Sequence, residues 1–318
     1  MAKQSMQNFV VIDLGSNSVR MKITQITQGN YLKVVSQQKD YVRLSENMGD
    51  EKTLKKEPIA RTLAALGRFK EIYGKLPNVT LVALATAAVR QAANQADFLK
   101  KVKEDLAIEF KVIPGEEEAR LDYVGVVRTL PVTDCLIMDT GGASTEIIRV
   151  KDGDAAHLIS IPFGAVTISQ QFHLDDRISA IDLFNAMTFV EQELMDIPWL
   201  KEAYGLPLIC LGGSNRSIAK ISRRKQCNDP DDMPDIHGFT LPAGDAIDIM
   251  RELLVLDKKG REGIPGLTKT RADVIVGGLL PAILILRVCH IGEVICSNHG
   301  LREGALFDFL DQQHRAKL

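Results

Sequence analysis

Several features that mark specialised proteins are missing from this chain of 318 residues. Its formal net charge is only −2, which argues against nucleic acid as the main partner because no overall field attracts a polyanion. Its five cysteines are scattered and form no C-x-x-C pair, so we expect reduced core thiols and neither disulfides nor a zinc site. Low-complexity segments and short-period repeats are also absent. A globular chain long enough for two domains remains.

Long hydrophobic runs are missing as well. Near the N-terminus the apolar run covers only residues 9–12 before Asp13, which is too short for a signal peptide. The longest run, residues 274–286, contains two glycines and a proline and is too short to span a bilayer. We therefore expect a cytoplasmic protein with no membrane contact. We also expect residues 274–286 to form a buried helix, and residues 279–288 to lie in the core in preference to an interface.

The most informative stretch that is present covers residues 136–149. An apolar strand runs into Asp139, turns on Gly141 and Gly142, and continues as a second strand that carries Glu146 near its start. Glycines allow a backbone to approach an anion and aim its N–H groups at it, while carboxylates suit a hard cation. The turn also carries the hydroxyl groups of Ser144 and Thr145. This pattern predicts a hairpin that holds phosphate.

Residues 9–21 repeat the same order of residue types. An apolar strand reaches Asp13, the chain turns at Gly15, and a second strand follows. The small polar residues of this turn are Ser16, Asn17 and Ser18. Two Asp-containing glycine hairpins in one chain predict two similar half-domains that face each other across a cleft.

Charged residues follow two of the predicted strands, and each of these two places has two interpretations. Arg90 comes just after the apolar strand 79–85, where α/β folds place ligand groups, although a surface arginine on a helix fits equally well. Glu116, Glu117 and Glu118 open a helix, where acidic residues complement the helix dipole. A glutamate at that place could also accept a proton from water beside a phosphate site.

A second Gly-Gly turn, Gly212 and Gly213, lies between the strand from residue 206 and the next helix. Such a turn at the mouth of a helix is a place for an anion or a ribose. Further along, residues 258–266 form a charged, glycine-rich segment that we interpret as a loop, and Arg271 then starts the buried helix. The alternation of strands and helices predicts an α/β fold.

A collinear series of motifs resembles the exopolyphosphatase and guanosine pentaphosphate phosphohydrolase family, within the actin-like and sugar-kinase ATPase superfamily. The motifs are, in order, IDLGSNSVRM, ATAAVRQAANQADFL, PGEEEARL, IMDTGGASTE, CLGGSNRSIAKI, RADVIVGG and SNHGLREGAL. The resemblance implies two ribonuclease-H-like α/β domains with the active site in the cleft between them. We place the domains at residues 1–125 and 126–302, with a closing helix at 303–318 that packs back on the first. The chain resembles the short members, which lack an extra C-terminal helical domain.

The resemblance also implies roles for individual residues. Asp139 and Glu146 would bind Mg²⁺, with Asp13 facing them from the other domain, and Glu118 would be the general base for the attacking water. The residues expected to contact phosphate are Gly15, Ser16, Asn17, Ser18, Arg20, Arg90, Gly141, Gly142, Ala143, Ser144, Thr145, Gly212, Gly213 and Arg271.

Ala143 departs from the pattern, because the family commonly has a third glycine there. A methyl group is tolerated if the backbone φ at this position is negative, and activity is in doubt if φ is positive.

The expected activity is magnesium-dependent removal of terminal phosphate from inorganic polyphosphate by direct attack of water, since no Ser or Cys with a partnered His is apparent. Hydrolysis of guanosine pentaphosphate to the tetraphosphate uses the same bond chemistry and is the alternative within the class. A non-catalytic polyphosphate or nucleotide sensor and a kinase of the same superfamily are the other readings, although Glu118 suits water activation better than a kinase. We expect a homodimer.

Overall fold

The computed structural model describes residues 6–27, 31–227 and 233–315 and divides the chain into two compact units. Unit 1 comprises the residues up to Glu118 together with those from Leu301 onward, and unit 2 comprises Ala119–Gly300. The sequence analysis placed the boundary between residues 125 and 126, so the structural division lies a few residues earlier. The predicted closing helix is grouped with unit 1, and its last residues, 316–318, lie outside the description.

Unit 1 contains one five-stranded sheet in the order β3-β2-β1-β4-β5. Strands β1, β2 and β3 are antiparallel neighbours, whereas β4 and β5 run parallel to β1. The elements up to the end of the first crossing helix are β1 Gln7–Leu14, β2 Val19–Ile26, β3 Leu32–Asp40, α1 Lys56–Tyr73, β4 Val79–Ala85, α2 Ala87–Arg90, α3 Gln95–Leu106, β5 Lys111–Val112 and α4 Gly115–Val127.

Unit 2 contains a six-stranded sheet that repeats this order as β8-β7-β6-β9-β11, with β10 added at the edge. The prediction of two ribonuclease-H-like α/β domains is confirmed at the level of strand order and direction. The elements are β6 Cys135–Thr140, β7 Thr145–Lys151, β8 Asp154–Ile161, α5 Ala165–Gln171, α6 Ala180–Met195, a 3-10 helix Leu200–Ala203, β9 Leu208–Gly212, α7 Asn215–Gln226, β10 Phe239–Pro242, α8 Ala243–Leu254, α9 Lys258–Arg261, a 3-10 helix Lys269–Arg271, α10 Ile275–Val288, β11 Glu293–Cys296 and, back in unit 1, α11 Leu301–Arg315.

The central strands of each sheet are buried on both faces, and their side chains therefore alternate between two cores, whereas the edge strand β3 is largely exposed. In unit 1, Val10 and Ile12 of β1 belong to the core that includes Phe69 of α1 and Phe98 of α3. The intervening Phe9 stacks on Phe309 of α11, with ring centroids 4.8 Å apart. Since successive strand residues point to opposite faces, an almost uninterrupted apolar strand is what such a sheet requires.

The central strand of unit 2 follows the same rule. Ile137 of β6 packs with Ala119 and Val126 of α4, whereas Met138 faces the larger core that contains α10. Residues 275–286 of α10 are buried without exception, so the prediction of a buried helix is confirmed. Arg287 and Val288 are exposed, so the expected core position of residues 279–288 holds only up to residue 286. None of the described helices is long and apolar enough to cross a membrane.

The two helices at the unit boundaries, α4 and α11, occupy equivalent positions on the sheets of unit 2 and unit 1. The chain leaves the last strand of unit 1 through α4, which packs on the sheet of unit 2, and it leaves β11 of unit 2 for α11, which packs on the sheet of unit 1. A buried ion pair fixes α11 to its sheet, with Lys22 Nζ 2.7 Å from Glu303 Oε1. Each sheet is therefore covered in part by a helix that comes, in sequence, directly after a strand of the other unit.

The structure corrects the interpretation of residues 258–266 as a loop. Lys258–Arg261 is a short helix, α9, capped by the Asp257 side chain, which accepts a hydrogen bond from the Gly260 amide. Arg261 is completely buried. The sequence did not reveal this helix because its buried residue, Arg261, is charged and a hydrophobic pattern does not register it.

Candidate functional site

Asp139 and Glu146 lie directly opposite each other in the antiparallel pairing of β6 with β7. Directly opposed residues carry their side chains on the same face of a sheet, so the two carboxylates are neighbours. Glu146 is only 1% exposed, and its Oε1 accepts a hydrogen bond of 2.8 Å from the Ser160 hydroxyl of β8. Sequence analysis did not identify Ser160, because only the register of β7 with β8 places it beside Glu146.

The turn between these strands is closed by its own backbone. The Gly141 amide donates to the Ser144 carbonyl at 2.9 Å, so this amide supports the turn, and a phosphate contact by Gly141 stays a prediction. The Gly141 and Gly142 carbonyls accept from the Ala165 and Val166 amides at the start of α5. In a trans peptide the next N–H points away from the carbonyl. The amides of residues 142 and 143 therefore point away from α5, as a phosphate cradle requires.

Ala143 adopts a backbone conformation that an L-residue tolerates, since its φ is not positive. The residue is buried in the turn. The condition for tolerance of alanine at the family's third glycine position is therefore met, and the effect of Ala143 on activity stays a prediction.

The two hydroxyl residues of the turn have different surroundings. Thr145 is fully buried, and its hydroxyl donates to the Phe163 carbonyl at 2.8 Å. The hydroxyl thus makes a structural hydrogen bond, and a phosphate contact by Thr145 stays a prediction. Ser144 is also buried, and its carbonyl closes the turn, so its hydroxyl is held at a defined position in the loop. A phosphate contact by Ser144 stays a prediction.

The hairpin of unit 1 has the same construction. The Gly15 amide donates to the Ser18 carbonyl at 3.1 Å, and the carbonyls of Ser16 and Asn17 accept from the backbone amides of residues 45 and 43. The amides of residues 17 and 18 therefore point the other way, as in unit 2. The Gly15 amide is used to close the turn, and a phosphate contact by Gly15 stays a prediction. The amides of Asn17 and Ser18 remain the predicted donors.

One difference separates the two hairpins. Asp13 of β1 is paired in register with Arg20 of β2, at the place where unit 2 pairs Asp139 with Glu146. Unit 2 thus presents two carboxylates at its hairpin, whereas unit 1 presents a carboxylate and a guanidinium. The first combination suits a hard cation and the second adds a donor for phosphate oxygens.

Glu118 lies in the first turn of α4, where its backbone amide donates to the Pro114 carbonyl. Its Oε2 is 3.1 Å from Nη1 of Arg90, and the two side chains are 12% and 23% exposed. The same Nη1 donates to the Ile113 carbonyl at 2.9 Å. Because β1, β4 and β5 are parallel, their carboxyl ends bring Asp13, Arg90 and Glu118 to one edge of the unit 1 sheet.

The second Gly-Gly turn follows β9, beside β6 in unit 2. Gly212 has φ +84, and a Cβ there would lie 2.5 Å from the Thr140 carbonyl oxygen and 2.6 Å from Oδ1 of Asp139. A Cβ at Gly213 would overlap the guanidinium of Arg271. These close contacts explain why both positions are glycine, and the predicted ligand contacts of Gly212 and Gly213 stay predictions. A phosphate contact by Arg271 stays a prediction.

The chemistry of Asp139 and Glu146 fits magnesium. Mg²⁺ is usually bound by one or two carboxylates and keeps several waters, and a buried carboxylate is stabilised by a partner or a metal. Within residues 6–27, 31–227 and 233–315, no group of three or more His, Cys, Asp or Glu side chains is placed to hold a metal ion. The magnesium site therefore stays a prediction, and in unit 2 this prediction depends on Asp139 and Glu146.

The cysteines have the environment of core residues. Burial raises the pKa of Cys135 and of Cys296 to about 12 and that of Cys289 to about 11, and it raises the pKa of Cys210 well above its ordinary range. A thiol that stays protonated at neutral pH is a poor nucleophile. These four cysteines are free and buried, so the prediction that they are core thiols is confirmed for them.

Curated relatives carry phosphatase names. A guanosine-5'-triphosphate,3'-diphosphate pyrophosphatase of Photobacterium profundum is 28% identical over 305 residues, which cover 96% of this chain and 59% of the relative. A bifunctional 3-dehydroquinate synthase/phosphatase of Fusobacterium nucleatum is 26% identical over 314 residues, with coverages of 95% and 46%. The chain thus spans about half the length of these curated relatives.

Solved structures agree in fold over almost the whole chain. A Ppx/GppA family member from Aquifex aeolicus has a TM-score of 0.79 and 25% identity, covering 97% of this chain and 99% of its own. An exopolyphosphatase from Cytophaga hutchinsonii has a TM-score of 0.85 and 24% identity, with coverages of 96% and 98%. Residues 22–313 match the Ppx/GppA phosphatase family. The hairpins, the carboxylates and these likenesses lead to one conclusion: the chain belongs to the Ppx/GppA phosphatase family.

Proposed function

We propose that this family phosphatase releases orthophosphate from the ends of inorganic polyphosphate by magnesium-dependent hydrolysis, with Glu118 as the general base. The observation that carries the proposal is the ion pair of Glu118 with Arg90 at the carboxyl edge of the unit 1 sheet. A base for water must be held in place, and the ion pair with the adjacent guanidinium positions this carboxylate.

In the proposed reaction, Glu118 accepts a proton from water as the water oxygen attacks the terminal phosphorus. Arg90 keeps the carboxylate oriented, because one of its nitrogens bridges Glu118 and the Ile113 carbonyl. Phosphoanhydrides resist attack because of their own negative charge, so donors on the phosphoryl oxygens are needed as well. Arg20 and the amides of residues 17, 18, 142 and 143 would supply them.

Asp139 and Glu146 would hold Mg²⁺, with Asp13 as the third predicted ligand. The ion would neutralise charge that develops on the phosphoryl oxygens. Ser160 supports this assignment, because its hydroxyl occupies one lone pair of Glu146 Oε1 and orients the carboxylate across the sheet. Asp139 is less buried than Glu146, which leaves its oxygens nearer to solvent and ligand.

Hydrolysis of guanosine pentaphosphate is the second candidate. It is favoured by the name of the Photobacterium profundum relative, which is 28% identical to this chain. Both candidates break a terminal phosphoanhydride bond, so the residues assigned above serve either of them. A sensor that binds the same ligands without turnover, and the expected homodimer, also remain predictions.

The proposal is tested by measuring phosphate release from long-chain polyphosphate, guanosine pentaphosphate and ATP, each with Mg²⁺ and with EDTA. Fast release from polyphosphate with shortening from the chain ends is the expected result, and chelation should abolish it until Mg²⁺ is restored. Release of phosphate from guanosine pentaphosphate alone would support the second candidate function, hydrolysis of guanosine pentaphosphate. Binding of these ligands without any release of phosphate would support a non-catalytic sensor. Full activity in EDTA would refute the magnesium assignment.

A further inference from the structure

The two hairpins are supported in different ways. In unit 2, the carbonyls of Gly141 and Gly142 accept from the amides of Ala165 and Val166, in the first turn of α5. The first amides of a helix have no partner within the helix, so they are available for this purpose. In unit 1, the corresponding carbonyls accept from residues 43–45, a segment between β3 and α1 that belongs to no helix or strand. Such a segment must be held in place by its own contacts.

The core of unit 1 fixes residues 43–45. Val42 and Leu44 are 1% and 0% exposed and belong to that core. Nε of Arg61, on α1, donates to the Val42 carbonyl at 3.0 Å. The path of the segment is therefore determined by buried side chains and by a helix, independently of any ligand.

Arg43 adopts a left-handed backbone conformation, with φ +48. An arginine is strained there because its Cβ crowds the backbone, whereas glycine is not. The Arg43 amide donates to the Asn17 carbonyl at 3.0 Å, and the Glu46 amide donates to the Arg43 carbonyl at 2.9 Å. Strain of this kind persists where surrounding contacts determine the conformation, and it is concentrated at ligand sites. The strained residue is thus one of the two that hold the hairpin.

Ser45 makes two contacts with a single carbonyl of the hairpin. Its amide donates to the Ser16 carbonyl oxygen at 3.0 Å, and its hydroxyl donates to the same oxygen at 3.4 Å. Ser45 and Ser16 are 5% and 3% exposed, so these contacts are shielded from water. In the trans peptide that joins residues 16 and 17, the N–H of Asn17 points away from the Ser16 carbonyl. The group that holds this carbonyl therefore also sets the direction of the Asn17 N–H.

We propose that Ser45 is a positioning residue for phosphate: by holding the Ser16 carbonyl, it aims the Asn17 amide at the phosphoryl oxygens. The Arg43 amide does the same for the Ser18 amide, through the Asn17 carbonyl. Donors that are oriented in advance cost no reorganisation when charge develops on the substrate. This role rests on the proposed function and deepens it, because Ser45 orients one of the donors that the proposed reaction uses.

The test uses orthophosphate with Mg²⁺, the product of the proposed reaction, as a probe that needs no turnover. Two-dimensional amide NMR spectra follow Asn17 and Ser18 during the titration, and we expect both resonances to shift in the wild type. Ser45→Ala removes the hydroxyl and keeps the amide. We expect it to weaken orthophosphate binding by about three- to tenfold, the effect of one lost hydrogen bond. The shift of Asn17 at saturation should shrink in this variant, whereas that of Ser18 should not, because Arg43 still holds the Asn17 carbonyl.

Two further variants control for the general loss of a buried hydroxyl group. Ser45→Thr keeps the hydroxyl and should bind orthophosphate within about twofold of the wild-type affinity. Thr62 is 0% exposed, and its hydroxyl donates to the Pro58 carbonyl at 2.8 Å within α1. Thr62→Val removes this hydroxyl and should leave both the affinity and the Asn17 shift unchanged. The amide spectra also show whether each variant is folded.

Three outcomes would overturn the proposal. One is an unchanged affinity and an unchanged Asn17 shift in Ser45→Ala, and another is equal weakening in Thr62→Val. The third is a wild-type protein in which neither Asn17 nor Ser18 responds to orthophosphate. The proposed function survives that third result if phosphate release from polyphosphate is still measured, and it fails as well if release is absent.

Discussion

Nη1 of Arg90 lies 3.1 Å from Oε2 of Glu118, which connects the segment after β4 with the first turn of α4. The sequence left Arg90 open between a phosphate contact and a surface arginine, and left Glu118 open between a dipole partner and a base. The ion pair excludes a purely surface role for Arg90, and it distinguishes Glu118 from Glu116 in the same helical turn, which is exposed. Replacement of Glu118 tests whether this carboxylate takes part in catalysis.

Replacement of Glu118 by glutamine should lower kcat for phosphate release by about two to four orders of magnitude, because the amide cannot accept the proton from water. Ligand affinity should change little. The measurement is steady-state phosphate release together with calorimetric binding of tripolyphosphate. Glu116→Gln, in the same first turn, is the matched control and should retain wild-type kcat. Normal turnover in Glu118→Gln would remove this residue from the mechanism.

Ser160→Ala should weaken Mg²⁺ binding by about 10- to 100-fold, because a group that orients a metal-binding carboxylate is lost. Calorimetric titration of the protein with Mg²⁺ measures this directly. Ser160→Thr keeps the hydroxyl and suits a β-strand, so it should bind Mg²⁺ with nearly the wild-type affinity. If all three proteins bind Mg²⁺ equally, Glu146 is not positioned by Ser160 for that purpose.

The buried ion pair of unit 1 should contribute to stability through the cost of breaking it. Lys22 and Glu303 have side chains that are 8% and 6% exposed. Lys22→Met leaves the Glu303 carboxylate buried without its cation, so we expect the free energy of unfolding to fall by about 3–5 kcal/mol. Urea denaturation measures the change. The double variant Lys22→Met/Glu303→Leu should recover most of the loss, and an additive loss in the double variant would contradict this account.

The thiols should divide into two reactivity classes in the native protein. Cys135, Cys289 and Cys296, with pKa values raised to between about 11 and about 12, and Cys210, with its pKa raised further by complete burial, should react slowly with iodoacetamide at pH 8. Half-buried Cys227 should react faster. Mass spectrometry of briefly alkylated protein measures the modified sites. Equal labelling of all five before unfolding would show that the cores open readily.

The same thiols predict how stability depends on alkaline pH. Their ordinary pKa is 9.0, whereas Cys135 and Cys296 stay protonated in the folded state up to about 12. The unfolded chain therefore releases protons first as the pH rises. The free energy of unfolding should be unaffected by these groups below about pH 9 and should fall between about pH 9 and pH 12. Urea denaturation across this range provides the measurement, and serine at both positions should reduce the slope.

Local signals explain how much of the fold the sequence predicted. Apolar strands that end in Asp and turn on glycine at residues 9–21 and 136–149 are short-range patterns, and both hairpins occur in the structure. The buried helix α10 was found because its apolar run is long. Helix α9 was not predicted, because its buried residue Arg261 is charged and a charged residue in a sequence normally indicates the surface.

The residue types of the candidate site were determined by the sequence itself: two Asp-glycine hairpins, a glutamate at a helix start, and an arginine after a strand. Their hydrogen-bond partners were decided only by tertiary structure, as the commitment of the Gly141 amide and the Thr145 hydroxyl shows. The same is true of Ser160 beside Glu146 and Arg271 over Gly213. The physical reason is that composition and spacing specify which groups a chain carries, whereas strand register and packing determine which distant groups satisfy one another.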